Sequence, residues 1–469
     1  MKRLLWVFFG SLGLMVLAGI IAAVRQPPAV TSGPLTLPDG AVVHIVGVTY
    51  GTNHFLGPPL ARLVARMPTG TRAALQRLLG RHGMLQRSTT TSEPKLIVWL
   101  RCATNSVPSP PGSGYFTAIL SDASGFLSGD TAFFHGWWSA PEGLEFHVFP
   151  RRDPVIGVNF FYHSTTGGVT RCGSLSFANP LHGRFPQWQP EPLPATRYAG
   201  DVAVTLDNLS TGHEWNASYR SVPGGGGAVE FGTNAGNDRN ETVCAVHLNP
   251  LTNTNEVWVV ASEEVSDATG NRALYTLLGL GRPEDGYFTF EPGLWPNESA
   301  WKLRCEIKRS RGFAPGEMFV FRDVPLGGLG ETNRLGWTTN FAGVTVTLDQ
   351  FIRRTPTTGN DFSLENKSQV QFSWRGLTNG VHLDLVSVRT DTGTELESPS
   401  WSSGGNQRTY SFRGPPADGR TADLTHGFRN VPGDARTADF KFAMQRSRWV
   451  EFMVKPEVGA FRVEYRPEP

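Results

Sequence analysis

The sequence predicts a mainly β protein. Tandem immunoglobulin-like antiparallel β-sandwiches follow an N-terminal transmembrane helix, and the first sandwich carries a short helical insertion. Glycine and proline are abundant, at 53 and 34 of 469 residues, and an excess without collagen periodicity is typical of many turns between short strands. Tryptophan and phenylalanine, which favour strands, number 13 and 29. A strand pattern also recurs, once as Val202–Asp207 and again as Val344–Asp349.

Length and charge limit the possible classes of protein. A chain of 469 residues is too long for one hydrophobic core and suggests about three domains. Its hydrophobic content of 39% and charged content of 18% are typical of a folded protein. The net charge is only +2, so we expect no nucleic-acid partner, because nucleic-acid binding depends on concentrated positive charge.

The N-terminal segment predicts a membrane anchor at residues 1–25. Lys2 and Arg3 precede an uncharged apolar run, Leu4–Val24, which as a helix would span roughly 31 Å, the thickness of the hydrocarbon core of a bilayer. A long cleaved signal peptide is the alternative, although the run exceeds the usual length and no good cleavage site follows it. In either case we expect the rest of the chain to leave the cytoplasm. The predicted location is the cytoplasmic (plasma) membrane, single-pass, with the C-terminal bulk extracytoplasmic.

Two stretches with linker composition divide the exported part. Residues 180–196 are rich in proline and residues 326–342 are rich in glycine, and both compositions are typical of connecting segments. The predicted sandwich modules are therefore residues 35–190, 197–325 and 343–469.

The second and third modules look like repeats of each other. Each opens with the recurring strand described above, and each closes with an alternating strand that ends in Arg-Ser-Arg, at Arg309–Arg311 and Arg446–Arg448. Alternation with period two indicates strands with one buried face. We expect the two modules to share one strand order, with Val204 equivalent to Val346.

The first module is a weaker relative with a helical insertion at residues 58–90. Its turn Ser121–Gly125 resembles Ser266–Gly270 of the second module. The insertion has helical periodicity and is predicted to include a helix from Thr71 to Leu79. The stretch from Ala41 to Ser92, which includes the insertion, contains no Asp, Glu or Lys but carries six arginines. The candidate residues for binding anionic lipid headgroups are Arg62, Arg66, Arg77 and Arg81. Alternatively, the helices pack on the sandwich and these arginines are ordinary solvated charges.

Four cysteines predict two disulfides. Two of them fall in the first module and two in the second, so the most economical pairing is Cys102–Cys172 and Cys244–Cys305. Disulfides would agree with export to an oxidising compartment. Four buried thiols remain the alternative. No two cysteines have the spacing of a zinc-binding arm.

An aromatic cluster at Phe133–Trp138 is a second candidate binding site. If Trp137 and Trp138 were exposed, they would form a platform for sugar rings or for a partner protein. If they were buried, they would belong to the core, which is where large aromatic side chains are mostly found.

Catalytic motifs are weak. Asp391–Gly393 matches the Asp-Thr-Gly triplet of aspartic proteases, but its polar flanks favour a hairpin turn. Asn237–Glu241 could supply calcium ligands but lacks the EF-hand spacing. We therefore predict no enzymatic activity, no catalytic residues, no metal site and no cofactor.

A local motif suggests a family. The turn Leu294–Glu298 (Leu-Trp-Pro-Asn-Glu), followed by Trp301–Arg304 (Trp-Lys-Leu-Arg), resembles exported, N-terminally anchored bacterial proteins that carry tandem immunoglobulin-like β-sandwich domains and whose activity is uncharacterised. The resemblance covers about the last 270 residues and implies a fold but no catalytic residue.

These observations favour a non-enzymatic, membrane-anchored envelope protein that presents β-sandwich modules for contact with another protein or a polymer. A glycan-binding surface protein is the first alternative, with Trp137 and Trp138 as the binding residues. A hydrolase whose site is assembled from loops is the second. Apart from the membrane, the expected partner is an unknown protein or polysaccharide.

Overall fold

The structure is a computed structural model. It describes residues 32–38, 40–57, 64, 67–79, 87–103, 115–134, 141–164, 168–222, 226–233, 241–252, 256–274, 287–290, 293–354, 368–378, 380–396, 422–428, 431–459 and 461–465. This part of the chain is mainly β, as predicted, with antiparallel pairing in every sheet apart from one short parallel contact. Among the described residues, no helix is long and apolar enough to span a bilayer. The predicted anchor, residues 1–25, lies outside them.

The first unit consists of two four-stranded sheets with the orders β1-β2-β3-β6 and β5-β4-β7-β8. Its strands are β1 (Leu35–Thr36), β2 (Val42–Leu56), β3 (Arg87–Ala103), β4 (Tyr115–Ser121), β5 (Leu127–Phe134), β6 (Glu142–Phe146), β7 (Val155–His163) and β8 (Val169–Ala178).

The helical insertion lies between β2 and β3. It contains one described helix, α1 (Thr69–Leu79), which agrees with the predicted helix to within two residues at its start. The insertion ends earlier than residue 90, because β3 already begins at Arg87. The β2–β3 ribbon folds back on itself, so that Leu56 packs with Ile97 and Trp99.

The second unit also has two sheets, but its strands are not contiguous in sequence. The strands that precede the third unit are β9 (Ala195–Ala199), β10 (Val202–Val222), β11 (Gly226–Thr233), β12 (Glu241–Pro250), β13 (Val257–Asp267), β14 (Arg272–Leu274), β15 (Tyr287–Phe290) and β16 (Trp301–Arg311). Those that follow the third unit are β24 (Arg448–Val454), β25 (Glu457–Val458) and β26 (Phe461–Tyr465).

The third unit lies between β16 and β24 in the chain. Its strands are β17 (Met318–Pro325), β18 (Thr332–Phe341), β19 (Val344–Ile352), β20 (Ser368–Arg375), β21 (Val381–Thr390), β22 (Ala422–Phe428) and β23 (Thr437–Arg446). They form the sheets β18-β19-β20-β22 and β17-β23-β21. Both sheets supply side chains to a single core that includes Val346, Phe372 and Phe440. This arrangement is consistent with a β-sandwich.

The same strand order recurs in all three units. The sheet β1-β2-β3-β6 of the first unit corresponds to β9-β10-β12-β15 in the second and to β18-β19-β20-β22 in the third. Val204 and Val346 occupy equivalent strands, β10 and β19, and both are fully buried. The equivalent strand pairs β9–β10 and β18–β19 also share a hydroxyl contact. It joins Thr196 to Thr205 at 2.9 Å in the second unit and Thr338 to Thr347 at 3.1 Å in the third. The strand order expected for the second and third modules is therefore present.

One edge strand is exchanged between the second and third units. In the first unit, β8 follows β7 and pairs with it. In the second, the equivalent of β7 is β16, but the strand that follows it, β17, pairs with β23 of the third unit. The strand after β23, β24, returns to pair with β16. The second unit therefore completes this sheet with the strand that follows β23, and the third unit completes its own with the strand that follows β16.

This exchange corrects the predicted boundaries 197–325 and 343–469. Strands β17 and β18 precede residue 343 but belong to the third unit, while residues 448–465 pair within the second. The glycine-rich stretch that we interpreted as a linker, residues 326–342, consists of a short loop after β17 and of strand β18, both within one unit. Glycine content marks a turn equally well inside a unit and between units.

The first and second units share one hydrophobic core. It runs continuously from Leu37 through Phe149 and Val204 to Val454, whereas the third unit has a core of its own. The structure therefore combines a two-unit body with an inserted third unit.

Candidate functional site at the junction of the second and third units

The junction between the second and third units contains two crossing points of the chain. The first runs from β16 to β17 through the short 3-10 turn Pro315–Glu317. The second runs from β23 to β24 and consists of Ser447 alone. The two Arg-Ser-Arg triplets noted in the sequence lie at these crossings.

Gln445 joins the two crossing strands. Its side-chain oxygen accepts a hydrogen bond from the backbone N–H of Arg309 at 2.9 Å, and its side-chain nitrogen donates to the backbone carbonyl of Arg309 at 2.6 Å. A buried amide that satisfies both backbone groups of one residue substitutes for a ladder hydrogen-bond pair. Gln445 therefore continues the backbone pairing of β16 across the boundary between the units.

Glu306 connects four segments of the chain. Its Oε2 accepts from Ser262 of β13 at 2.8 Å, and its Oε1 lies 2.7 Å from Nε2 of His382, at the start of β21. Ser447 at the second crossing donates to the same Oε1. Burial raises the pKa of Glu306, but the hydrogen bonds from His382, Ser447 and Ser262 and the charge of His382 outweigh it and lower the pKa to about 2. The carboxylate is therefore ionised and acts as an acceptor throughout the physiological range.

A second ion pair lies beside this network. Lys308 of β16 contacts Asp384 of β21, with 2.6 Å between Nζ and Oδ1. The other oxygen of Asp384 accepts from Gln445 at 3.1 Å. The Asp384 side chain is only 3% exposed, so this is a buried, hydrogen-bonded pair, which loses stability when one partner is removed.

The arginines of the triplets close the edge of the junction. Arg309 contacts Glu256 at 3.3 Å and also pairs with Glu317. Arg448 donates to the carbonyl of Ala199 at 2.6 Å and pairs with Asp201. Arg309 thus binds the first crossing at Glu317, and Arg448 binds the turn between β9 and β10.

The geometry of Ser447, Glu306 and His382 differs from that of a catalytic triad. A nucleophilic serine needs a base that takes its proton, and in a triad that base is the histidine. Here both Ser447 and His382 bind the same carboxylate oxygen. A carboxylate with a pKa of about 2 is a weak base. The arrangement ties chain segments together and does not activate the serine.

Most of the predicted binding residues lie outside the described part of the chain: Trp137, Trp138, Arg62, Arg66 and Arg81. Arg77 is described and is exposed near the end of α1. The candidate sugar platform and most of the candidate lipid site therefore stay predictions.

The predicted disulfides are wrong: all four cysteines are thiols. Cys172 is the extra residue of a β-bulge, because Phe160 pairs with Gly173 and Phe161 with Arg171. A bulge displaces its extra residue from the regular ladder. Between Cys244 and Cys305 stands the carboxyl group of Glu263, which both thiols contact.

The three Asp-containing turns are hairpin connections, as predicted. Asp267 accepts hydrogen bonds from the backbone and hydroxyl of Thr269 and from the backbone of Asn271, and Asp122 makes the same set with Ser124 and Phe126. The Asp-Thr-Gly triplet closes a turn in which Gly393 has φ of +87°. That conformation favours glycine, which accounts for the residue pattern without a catalytic role.

The motif Leu294–Glu298 joins the first unit to the second. Glu298 accepts two hydrogen bonds at 2.9 Å from Nε of Arg152, and Asn297 donates to Asp122 at 2.7 Å. Burial raises the pKa of Glu298, although the Arg152 hydrogen bond opposes this. The residues that carry the sequence resemblance are therefore contact residues between two units.

Sequence reasoning missed Glu306, Lys308, His382, Asp384 and Gln445. Each was part of an alternating strand, and only their meeting across two units sets them apart. The available signal was the repeated Arg-Ser-Arg triplet. It marked both crossing points, but its structural meaning was not predicted.

Comparison with known proteins adds no assignment. No protein-family model, no curated protein and no solved structure matches the chain at a significant level.

Proposed function

We propose that this chain is a non-enzymatic, membrane-anchored envelope protein that presents immunoglobulin-like β-sandwich units for contact with another protein or a polymer. Residues 1–25 form its single-pass anchor in the cytoplasmic (plasma) membrane, and the bulk of the chain lies outside the cytoplasm.

The observation that supports this proposal most directly is the insertion of the third unit between β16 and β24. A unit linked by one flexible connection moves freely relative to its neighbour, which is the default for adjacent domains. The third unit instead has two connections, an exchanged strand in each direction and a polar network at the junction. Such a connection suits a protein that holds a binding unit in a defined orientation.

The polar network supports the same reading. Its residues satisfy one another across the junction, with Glu306, Asp384 and Gln445 each bonded to groups of more than one segment. Buried side chains that are hydrogen-bonded to several segments stabilise one arrangement of the chain. They contribute rigidity to the presented unit.

The first experiment tests the location. Intact cells that carry the full chain with a C-terminal epitope are treated with a protease that cannot enter the cytoplasm, after the outer envelope has been made permeable. We expect the epitope to be digested without lysis of the cells. An epitope that is protected until lysis would contradict extracytoplasmic display.

The second experiment tests contact by the third unit. A photoreactive amino acid replaces Trp337, which is 38% exposed in β18, in the full chain in living cells. A matched variant carries it at the buried Phe372. We expect a discrete cross-linked species from the exposed position alone, and mass spectrometry identifies whether it is a protein or a polysaccharide. Identical cross-linking patterns from both positions, or none from either, would count against presentation by this unit.

A further inference from the structure

The core of the second unit holds two thiols on either side of one carboxyl group. Cys244 of β12 lies 3.2 Å from Oε2 of Glu263, and Cys305 of β16 lies 3.3 Å from Oε1. The two cysteines are fully buried, and Glu263 is 2% exposed. An ionisable group at such a depth is rare in proteins.

Strand register explains why the three side chains meet. Glu263 is directly opposite Cys305 in the β13–β16 ladder, so both side chains project from the same face of that sheet. Cys244 belongs to the facing sheet, where β12 pairs with β10 and β15. The longer Glu263 side chain reaches across from one sheet towards the other.

The carboxyl group occupies the place that a disulfide would need. The Cβ atoms of a disulfide lie about 3.8 Å apart and its sulfurs about 2 Å apart. Here the sulfurs contact different oxygens of one carboxyl group, so that group stands between them.

We propose that the second unit contains a latent inter-sheet dithiol–disulfide site, in which Glu263 keeps Cys244 and Cys305 apart as thiols. The inference rests on this geometry and not on the proposed function. When the site is oxidised, each sulfur loses its hydrogen and one S–S bond forms. The two electrons and two protons pass to a disulfide oxidant, which is reduced to two thiols.

The environment of the thiols also slows their oxidation to a disulfide. Burial raises the pKa of the Cys305 thiol well above its ordinary value, and the neighbouring Glu263 raises it further. Thiol–disulfide exchange proceeds through the thiolate, so a thiol with a raised pKa reacts slowly. Separation and suppressed ionisation therefore both protect the pair.

The test compares the native full chain in detergent micelles with Glu263→Ala and Glu263→Gln. Each protein is incubated with oxidised glutathione, unfolded, alkylated and analysed by peptide mass spectrometry. In Glu263→Ala we expect a Cys244–Cys305 cross-link, seen as the loss of two hydrogens, in at least tenfold more molecules than in the native chain. Glu263→Gln keeps the side-chain volume between the sulfurs, and we expect it to behave like the native chain.

Cys102 and Cys172 serve as controls within the same molecules. Because truncation of a buried side chain can loosen the fold, Glu263→Val is a second variant that removes the carboxyl group but fills more of the space. Specific pairing of Cys244 with Cys305 in either variant supports the site. The proposal is overturned if the native chain forms this cross-link equally well, if Glu263→Gln forms it as readily as Glu263→Ala, or if neither truncated variant forms it.

Discussion

At the residue scale, two glutamates of neighbouring strands have opposite electrostatic roles. Glu263 lies between thiols in an apolar core, and burial raises its pKa to about 8, which the weak hydrogen bonds from Cys244 and Cys305 only partly oppose. Glu306 accepts hydrogen bonds from three stronger donors, and its pKa falls to about 2. The difference lies in the partners that the fold supplies, because both carboxyl groups are largely buried.

Stability should depend on pH through Glu263. Its folded pKa of about 8 lies above the ordinary value of 4.5, so the folded state holds the proton more tightly than the unfolded state does. This contribution is fully present below pH 4.5 and is lost as the pH rises to about 8, by on the order of 5 kcal/mol. We expect Glu263→Gln to remove this slope and to raise the free energy of unfolding at pH 7 by up to about 3 kcal/mol. Urea denaturation at several pH values measures both effects.

The control for this prediction is the neighbouring Glu264→Gln. Glu264 lies on the other face of β13, 3.9 Å from Arg272, which is 72% exposed. The Glu264 side chain is itself 18% exposed, but ion pairs this long with an exposed partner contribute about 0–1 kcal/mol, so its replacement should change stability little. An equal gain from both variants would show that burial of Glu263 is not the cause.

For Glu306→Gln we expect the opposite change, a lower free energy of unfolding at pH 7. The folded pKa of about 2 lies below the ordinary 4.5, so the carboxylate stabilises the fold above pH 4.5, and this contribution is lost as the pH falls towards 2. We expect the variant to lose about 2–3 kcal/mol at pH 7 and to approach the native stability near pH 2–3. Glu451→Gln, at a side chain that is 50% exposed, is the matched control. A loss that is unchanged at low pH would indicate a packing defect and not the loss of a charged acceptor.

At the element scale, α1 is the least buried element of the first unit. Leu78 near its end is 81% exposed, and the described residues of the helix include no acidic side chain. An exposed basic helix with apolar positions is typical of a segment that lies on a membrane surface. The proximity of the insertion to the predicted anchor in sequence motivates the same hypothesis.

We predict that replacing Arg62, Arg66, Arg77 and Arg81 by glutamine weakens binding to anionic lipid. Each arginine near an anionic surface contributes about 1 kcal/mol, so the loss of even two contacts lowers the partition coefficient roughly thirtyfold. Co-sedimentation of residues 26–469 with anionic and neutral vesicles measures this change.

The control replaces two exposed arginines of the other units, Arg272 and Arg322, which are 72% and 75% exposed. Their replacement should leave vesicle binding unchanged. If native binding is absent, or if both sets of variants weaken it alike, the insertion has no specific membrane role.

At the scale of the whole molecule, strand exchange places the consecutive strands β23 and β24 in different units. Phe452 of β24 is fully buried in the core of the first and second units, although it follows every strand of the third unit in the chain. By contrast, Phe442 of β23 belongs to the core of the third unit. Neighbours in sequence thus stabilise different units.

We predict that Phe452→Ala destabilises the second unit and not the third. Removal of a buried phenylalanine costs about 3–5 kcal/mol, and hydrogen exchange should speed up in β16, its pairing partner, more than in β21. Phe442→Ala should give the reverse pattern. Trp449→Ala, at a side chain that is 42% exposed in the same strand as Phe452, is the control and should have little effect. Faster exchange in β21 after Phe452→Ala would mean that β24 belongs to the third unit, as the boundary predicted from the sequence implied.

The candidate site was predictable only in part. The triplets at Arg309–Arg311 and Arg446–Arg448 were visible as a repeat, and they lie at the two crossing points. The function of Glu306 was not visible, because its donors come from three segments that are distant in sequence: Ser262, His382 and Ser447.

The sequence by itself determined the β class, the helix of the first unit, the Asp-containing turns and the recurring strand order, because these depend on local patterns of alternation and turn residues. The tertiary structure alone decided which strands complete each unit, since an edge strand carries the same pattern whichever sheet it joins.

The tertiary structure also decided that Cys244 and Cys305 are thiols and not a disulfide. Trp258 and Val260 are buried, and continued alternation would have pointed Ser262 and Glu264 into the core. A bulge between Val260 and Ser262 shifts the phase by one residue, so Glu263 points inward and separates Cys244 from Cys305. Such a shift depends on pairing with β16, and no periodicity within one strand reveals it.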